Sequence, residues 1–191
     1  MEQGALSRLD AALAAIDAAN AADPGEEAGE PAALVYGRRM SAELDRLFPD
    51  ASEPLRIAAR GQHIERWVLP RDQYPAGRTG YLTWRRELAR RHAERVAGIM
   101  TDAGYGAEDI AAVGRMLRKE GIKRDAEVQA LEDVICFVFL KWYFAPFAAR
   151  HEDDKVADIV AKTARKMSPE GRSRVLAEFD LPEALAAAFR D

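Results

Sequence analysis

The sequence predicts an all-α fold, a single compact helical domain built around one central buried helix. Three observations predict it. Leu131 to Phe144, LEDVICFVFLKWYF, is the one stretch that is apolar on every side, and a helix that is apolar all round belongs in a core. No segment alternates apolar and polar residues with the period of two that a half-buried strand shows. Alanine carries much of the 48% hydrophobic content, and alanine has the highest helix propensity of any residue.

Length bounds the architecture. A chain of 191 residues is enough for one domain with a full core and short for two. It divides into an N-terminal helix with an acidic loop, residues 1–30, and a helical domain over residues 31–191. The uninterrupted apolar run, Val134 to Leu140, falls far short of the roughly 20 residues that cross a bilayer. The opening MEQGALSRLDAALAA sets acids beside its apolar residues, unlike a secretory signal. The single cysteine, Cys136, lies inside the apolar run, which excludes an intrachain disulfide and argues against a reactive thiol. These features predict a cytoplasmic protein that does not contact a membrane.

The elements follow in order. Leu6, Leu9, Leu13 and Ile16 recur at helical spacing and predict a helix over Ala5 to Ala22. Asp23-Pro24-Gly25 ends it, and the acidic segment to Pro31 reads as the most mobile loop of the chain. A second helix runs from about Ala32 to Leu47. Ser52 is an N-cap candidate with Pro54 in the first turn, which predicts a third helix from Ser52 to about Trp67 with Arg56, Arg60, His63 and Trp67 on one face. VLPRDQYPAGRTG is a loop, and it carries Arg71, Tyr74 and Arg78 where serine and asparagine are usual, so it is a candidate for holding a ligand. The helical pattern resumes from Tyr81 to Asp102 and again from Glu108 to Lys119. The central helix starts near Asp125 and is kinked or ended by Pro146. Asp153 to Met167, a helix opened by Ser168-Pro169-Glu170 and a short one opened by Leu181-Pro182-Glu183 complete the chain.

Charge is distributed unevenly. The net charge is −4, but Met1 to Leu55 carries −7, Arg56 to Arg95 carries +6 and the remainder −3. All ten cations of the middle segment are arginine, the side chain whose planar fork matches carboxylates and phosphates. Arg60, His63, Arg66, Arg71, Tyr74, Arg78, Tyr81, Trp84, Arg85 and His92 interleave guanidinium groups with aromatic rings. That pattern suits a flat anionic ligand, a nucleotide or phosphorylated metabolite, because the forks grip phosphate and the rings stack on a base. The competing reading is that these arginines pair with Glu65, Glu87, Glu94, Glu132 and Asp133 and only line helix faces. Glu132 and Asp133 open the apolar helix, where a carboxylate leaving water needs a cation, a metal or a donor. Lys162 and Lys166 lie one turn apart near a helix C-terminus, placed for a ligand or for the helix dipole. An overall acidic chain argues against stable nucleic-acid binding.

ARGQHIERW, YPAGRTGYLTWRRELARRHA, LEDVICFVFLKWYFAPFA and KTARKMS together resemble a bacterial and fungal family known as domain of unknown function 4202, over about Leu34 to Leu176. The succession QHIERW, IMTDAGYGAEDIAAVGRMLRKEG and LEDVICF is also similar to the HD-domain phosphohydrolases, all-helical enzymes whose histidines and aspartates hold a divalent metal. That resemblance implies an HD-like helix bundle, with His63 at the first histidine and Asp133 at the last aspartate. It implies catalytic roles for His63, His92, Glu132 and Asp133. Trp84-Arg85, or at best Arg91-His92, stands where those enzymes have their His-Asp dyad, and Lys119 where a later histidine is found. Arginine in place of a ligand sets a positive charge where the cation would sit. The expectation is therefore an anionic ligand and no cofactor, the alternative being a divalent metal at His63, His92 and Asp133. Phosphate-ester hydrolysis and non-catalytic binding both follow from such a pocket.

Overall fold

The computed structural model describes residues 6–190, so the expected first residue of the first helix, Ala5, lies outside the described residues. The chain is 72% helical, with ten helices and one tiny two-stranded sheet among the described residues. It is an all-α protein. Its backbone gathers into two compact units, up to Glu120 and from Gly121 onward.

The first unit contains α1 (Arg8–Asn20), α2 (Ala32–Leu47), α3 (Glu53–Arg60), α4 (Gly77–Asp102) and α5 (Ala107–Leu117). Helix α1 packs on α2, α3 and α4, so the expected division after residue 30 does not coincide with a break in packing. Ile16, Met40, Ile57, Val96 and Met100 are fully buried and form its core. Between α1 and α2 the expected mobile loop holds an antiparallel pair, β1 (Glu26–Glu27) and β2 (Glu30–Pro31). Ala28 and Gly29 both have positive φ, 53° and 82°, the geometry of a hairpin turn whose twist matches that of its strands. Asp23 accepts hydrogen bonds from the Gly25 and Ala33 amides at 2.8 Å, and Arg38 and Arg39 pair with Glu30 and Glu27. Strands of two residues are too short to show a period in sequence.

Ser52 caps α3 as expected, its Oγ accepting from the Leu55 amide at 3.1 Å. The helix stops at Arg60, well short of Trp67. A Cβ on Gly61 would lie 2.7 Å from Cγ2 of Val96, so this glycine lets the chain pass tightly against α4 as it leaves the helix. It continues in turns through Glu65, at φ 49°, to a 3-10 turn at Arg66–Val68. Arg56, Arg60, His63 and Trp67 therefore do not share one helical face. Helix α4 begins at Gly77, ahead of the expected Tyr81.

The second unit is built on α6 (Ala126–Val138), with α7 (Phe144–Ala148), α8 (Asp153–Lys166), α9 (Pro169–Glu178) and α10 (Glu183–Ala186). Asp125 caps α6, its Oδ1 accepting from the Glu127 and Val128 amides. Val134, Phe137 and Val138 are completely buried, which places the apolar stretch in a core as the sequence predicts. Phe139–Tyr143 forms a π-helical turn just before the segment holding Pro146, whose missing N–H cannot continue a regular ladder. Helix α8 packs on α6, α7 and α10. Among the described residues no helix is long and apolar enough to cross a membrane.

Candidate functional site

A cavity of about 510 Å³ opens in the first unit. Arg85, Leu88, Ala89 and His92 of α4 form one wall, since residues three, four and seven apart on a helix share a face. Gln62, His63 and Arg66, from the turns that follow Gly61, form a second. Leu117, Arg118, Lys119 and Glu120, at the end of α5, form a third. The early end of α3 is thus what delivers His63 and Arg66 to the site.

Both histidines are held neutral. The His63 ring stacks on Tyr36, with centroids 4.0 Å apart and planes 14° apart. Its Nε2 lies 3.2 Å from Nη1 of Arg66, and a guanidinium can only donate, so Nε2 carries a lone pair. Burial pushes His63 well below its ordinary value, and the charges of Arg66, His92, Arg85 and Lys119 push it further. His92 is 4% exposed and is brought down to about 3 by burial first, then by Arg66, Arg91 and Arg85, against a hydrogen bond to the Gln62 backbone. Its Nε2 has no partner, so the Gln62 carbonyl takes the Nδ1 proton and Nε2 can only accept. The two rings lie 6.2 Å apart.

Seven of the ten arginines of the basic segment fall into two groups. Arg56 pairs with Asp45, Arg60 with Asp17, Arg90 with Glu87 and Glu94, and Arg95 with Glu65. Arg66, Arg85 and Arg86 line the cavity, and no carboxylate pairs with them among the described residues. Arg66 lies over the Trp84 ring at 4.8 Å, and burial followed by the Arg85 charge lowers its pKa. Arg85 donates to the Tyr81 hydroxyl at 3.1 Å. The ion-pair reading thus holds for part of the segment, including Arg90, which also lines the cavity, and fails at Arg66, Arg85 and Arg86.

Lys119 occupies an unfavourable backbone position. The Lys119 amide bonds to Met116 O and the Glu120 amide to Arg115 O, both at 3.0 Å, which is the double closure that glycine usually makes after a helix. Lys119 makes it at φ 59°, where a Cβ costs about 1–2 kcal/mol, and its side chain reaches the cavity wall. Lys119→Gly is expected to stabilise the protein by about 0.5–1 kcal/mol in urea denaturation, the relief being partly offset by glycine's larger unfolded-state entropy. A destabilised Lys119→Gly protein would show that the interactions of the side chain outweigh the backbone strain.

The other expected site residues lie elsewhere. Arg60 is committed to Asp17 at 2.7 Å. Arg71 donates to the carbonyls of Tyr74 and Pro75 at 2.9 Å, so it staples its own loop and does not face the cavity. Tyr74 is partly buried, Arg78 is exposed, and neither lines the cavity. Tyr81 and Trp84 act from behind it, holding Arg85 and Arg66. In the second unit, Asp133 bonds to Ser168 and Gln129, Glu132 pairs with Lys166 at 3.6 Å and Lys162 pairs with Asp158. Asp133 finds a donor, as its burial demands, but not a histidine or arginine. Among the described residues no three His, Cys, Asp or Glu side chains gather as a metal site requires. Gln62, Arg86, Arg118 and Glu120 were not expected at the site. Arg86 follows Arg85 in sequence, and nothing in the sequence marks the other three.

The fold and the cavity define an all-helical protein with an arginine- and histidine-lined pocket. The chain matches the family described as Domain of unknown function (DUF4202) over residues 10–188 and belongs to it. No curated protein matches it, and no solved structure does.

Proposed function

We propose that this cavity binds the phosphoryl group of a small phosphorylated molecule or nucleotide, and that it serves binding rather than hydrolysis. The observation that carries the reading is that Arg66, Arg85 and Arg86 face one cavity without carboxylate partners. Arg66 and Arg85 are partly buried and Arg86 is exposed, and unpaired guanidinium groups that leave water call for an anion. Three considerations set hydrolysis aside. Both histidines hold their protons too weakly to serve as bases near neutral pH, where an effective base titrates close to the working pH. Among the described residues no carboxylate hydrogen-bonds either imidazole. A divalent cation fits poorly, because the His63 lone pair already accepts from Arg66 and the surrounding charge is positive.

Thermal-shift and calorimetric screens of phosphorylated metabolites, each beside its dephosphorylated form, test the proposal. Only the phosphorylated member should stabilise the protein, and less so at high salt. Arg66→Met keeps the unbranched stem of the side chain and loses its charge. It should weaken binding by about ten- to a hundred-fold, the contribution of one hydrogen bond to a charged group. A shift that survives in an Arg66→Met, Arg85→Met double variant would place the ligand elsewhere, and turnover of any phosphate ester by the purified protein would restore the hydrolase.

A further inference from the structure

We propose that the ligand of this cavity is a phosphate ester that also carries a hydroxyl or amino donor, the donor serving His92 Nε2, and that a bare inorganic anion is not its natural occupant. The inference rests on the phosphoryl-binding reading and extends it from one functional group to a class of molecule.

Two cavity residues carry acceptor atoms that no protein group among the described residues satisfies. His92 is 4% exposed and Gln62 7%, and His92 Nε2 and Gln62 Oε1 are both buried without a hydrogen-bond partner. Bulk water does not reach them. A buried polar atom left unpaired costs about 1–3 kcal/mol, and unpaired buried groups in a native fold call for a specific explanation. The arginines cannot supply it by turning inward, since Arg66 is held on His63 and over Trp84 and Arg85 on Tyr81.

Chemistry then selects the occupant. A sulfate ion or the dianion of a phosphate monoester presents only lone pairs, which repel those of His92 and Gln62, and the one proton that inorganic phosphate keeps at neutral pH sits on the charged group that the arginines hold. A hydroxyl or amino group presents a proton to the two acceptors. Spacing makes the same selection. Arg85 and His92 stand seven residues apart on α4, about 10 Å along its axis, so a molecule with its phosphate at Arg85 and a donor at His92 must be longer than a phosphate ion. Leu88 and Leu117 add apolar lining to the cavity, suited to a sugar or base face. A cavity of about 510 Å³ lies within the range that holds such ligands. Reaching the sealed acceptors takes a side-chain shift at the wall, which the new buried hydrogen bond offsets.

Calorimetry with the full chain and four probes, inorganic phosphate, methyl phosphate, ribose 5-phosphate and adenosine 5′-monophosphate, tests the inference. Ribose 5-phosphate should bind about ten-fold more tightly than methyl phosphate, as one added buried hydrogen bond predicts. In His92→Phe the ratio of the two affinities should fall below about two-fold; Gln62→Leu provides the same test at the second acceptor should His92→Phe fail to fold. Tighter binding of the nucleotide than of ribose 5-phosphate assigns the donor-bearing ester to the nucleotides, and equal binding assigns it to the sugar phosphates. Equal affinity for methyl phosphate and ribose 5-phosphate overturns the donor while leaving the phosphoryl site intact. Binding of none of the four overturns both.

Discussion

Asp133→Ala is expected to lower stability by about 3 kcal/mol, read as a fall in the urea midpoint with an unchanged slope. Asp133 is 4% exposed at the second turn of α6. Its Oδ1 accepts from the Ser168 amide at 2.8 Å and from Gln129 Nε2 at 3.1 Å, and its Oδ2 accepts from the Ser168 hydroxyl at 2.5 Å. Ser168 Oγ in turn accepts from the Gly171 amide at 2.9 Å and caps α9. One carboxylate therefore orients the residue that starts the next helix. Alanine would leave the Ser168 amide without its partner and free the capping hydroxyl, and each bond to a charged group contributes about 1.5–3 kcal/mol. Burial is the largest influence on the Asp133 carboxyl and raises its pKa, against the Ser168 and Gln129 bonds and the Lys123 charge. The folded protein therefore holds this proton more tightly than the unfolded chain. The group's contribution to stability is greatest at acidic pH and declines as pH rises from the unfolded value, about 3.9, through the raised folded value. Asp133→Asn should remove that dependence and cost under about 1 kcal/mol, because its amide can accept from Ser168 N–H and donate to Ser168 Oγ. An Asp133→Ala protein as stable as the wild type would refute the capping role and return Asp133 to the list of candidate catalytic groups.

What the sequence made legible is mostly what local chemistry decides. Ser52, Asp125 and Ser168 cap helices where expected, because an N-cap needs only a side-chain oxygen and the next turn's amides. The apolar run of α6 lies in a core because no other location satisfies it. The early end of α3 was hidden, since it depends on how closely Gly61 approaches Val96 from another helix. The cavity was half legible for the same reason. An arginine-rich segment announces itself by composition, but which of its arginines keep a partner is a tertiary matter. Arg60 looks as available as Arg66 until Asp17, 43 residues away, takes it. Arg71 looks like a ligand group until it turns back onto its own loop. Asp133 is legible in sequence as a buried carboxylate that needs a partner, but burial does not say whether an arginine or a serine supplies it.

Gly80→Ala sets helix propensity against packing, and packing is expected to win by about 2–3 kcal/mol. Gly80 lies inside α4, where alanine is intrinsically better than glycine by about 1 kcal/mol. A Cβ there would fall 1.9 Å from the carbonyl oxygen of Pro75 and 2.8 Å from its carbon. Those are backbone atoms, so no rotamer change relieves the overlap. Nor is the loop free to retreat. Arg71 binds the Tyr74 and Pro75 carbonyls from within, and Trp84 Nε1 donates to Leu69 O at 2.9 Å, tying the loop to α4. The substitution should therefore push the loop away from the helix, breaking the Trp84 bond. Trp84 is also the ring beneath Arg66, so the disturbance reaches the cavity. The expected signature is a lower urea midpoint, red-shifted tryptophan fluorescence, new proteolytic cleavage between Leu69 and Gly77, and weaker binding of phosphate esters. Gly98→Ala is the control on the same helix, because nothing lies within 4 Å of its added Cβ. It should gain up to about 1 kcal/mol from propensity alone. Equal stability for the two variants would show that the Pro75 contact yields without cost, and the loop would then lose its role in holding Trp84 and Arg66 in place.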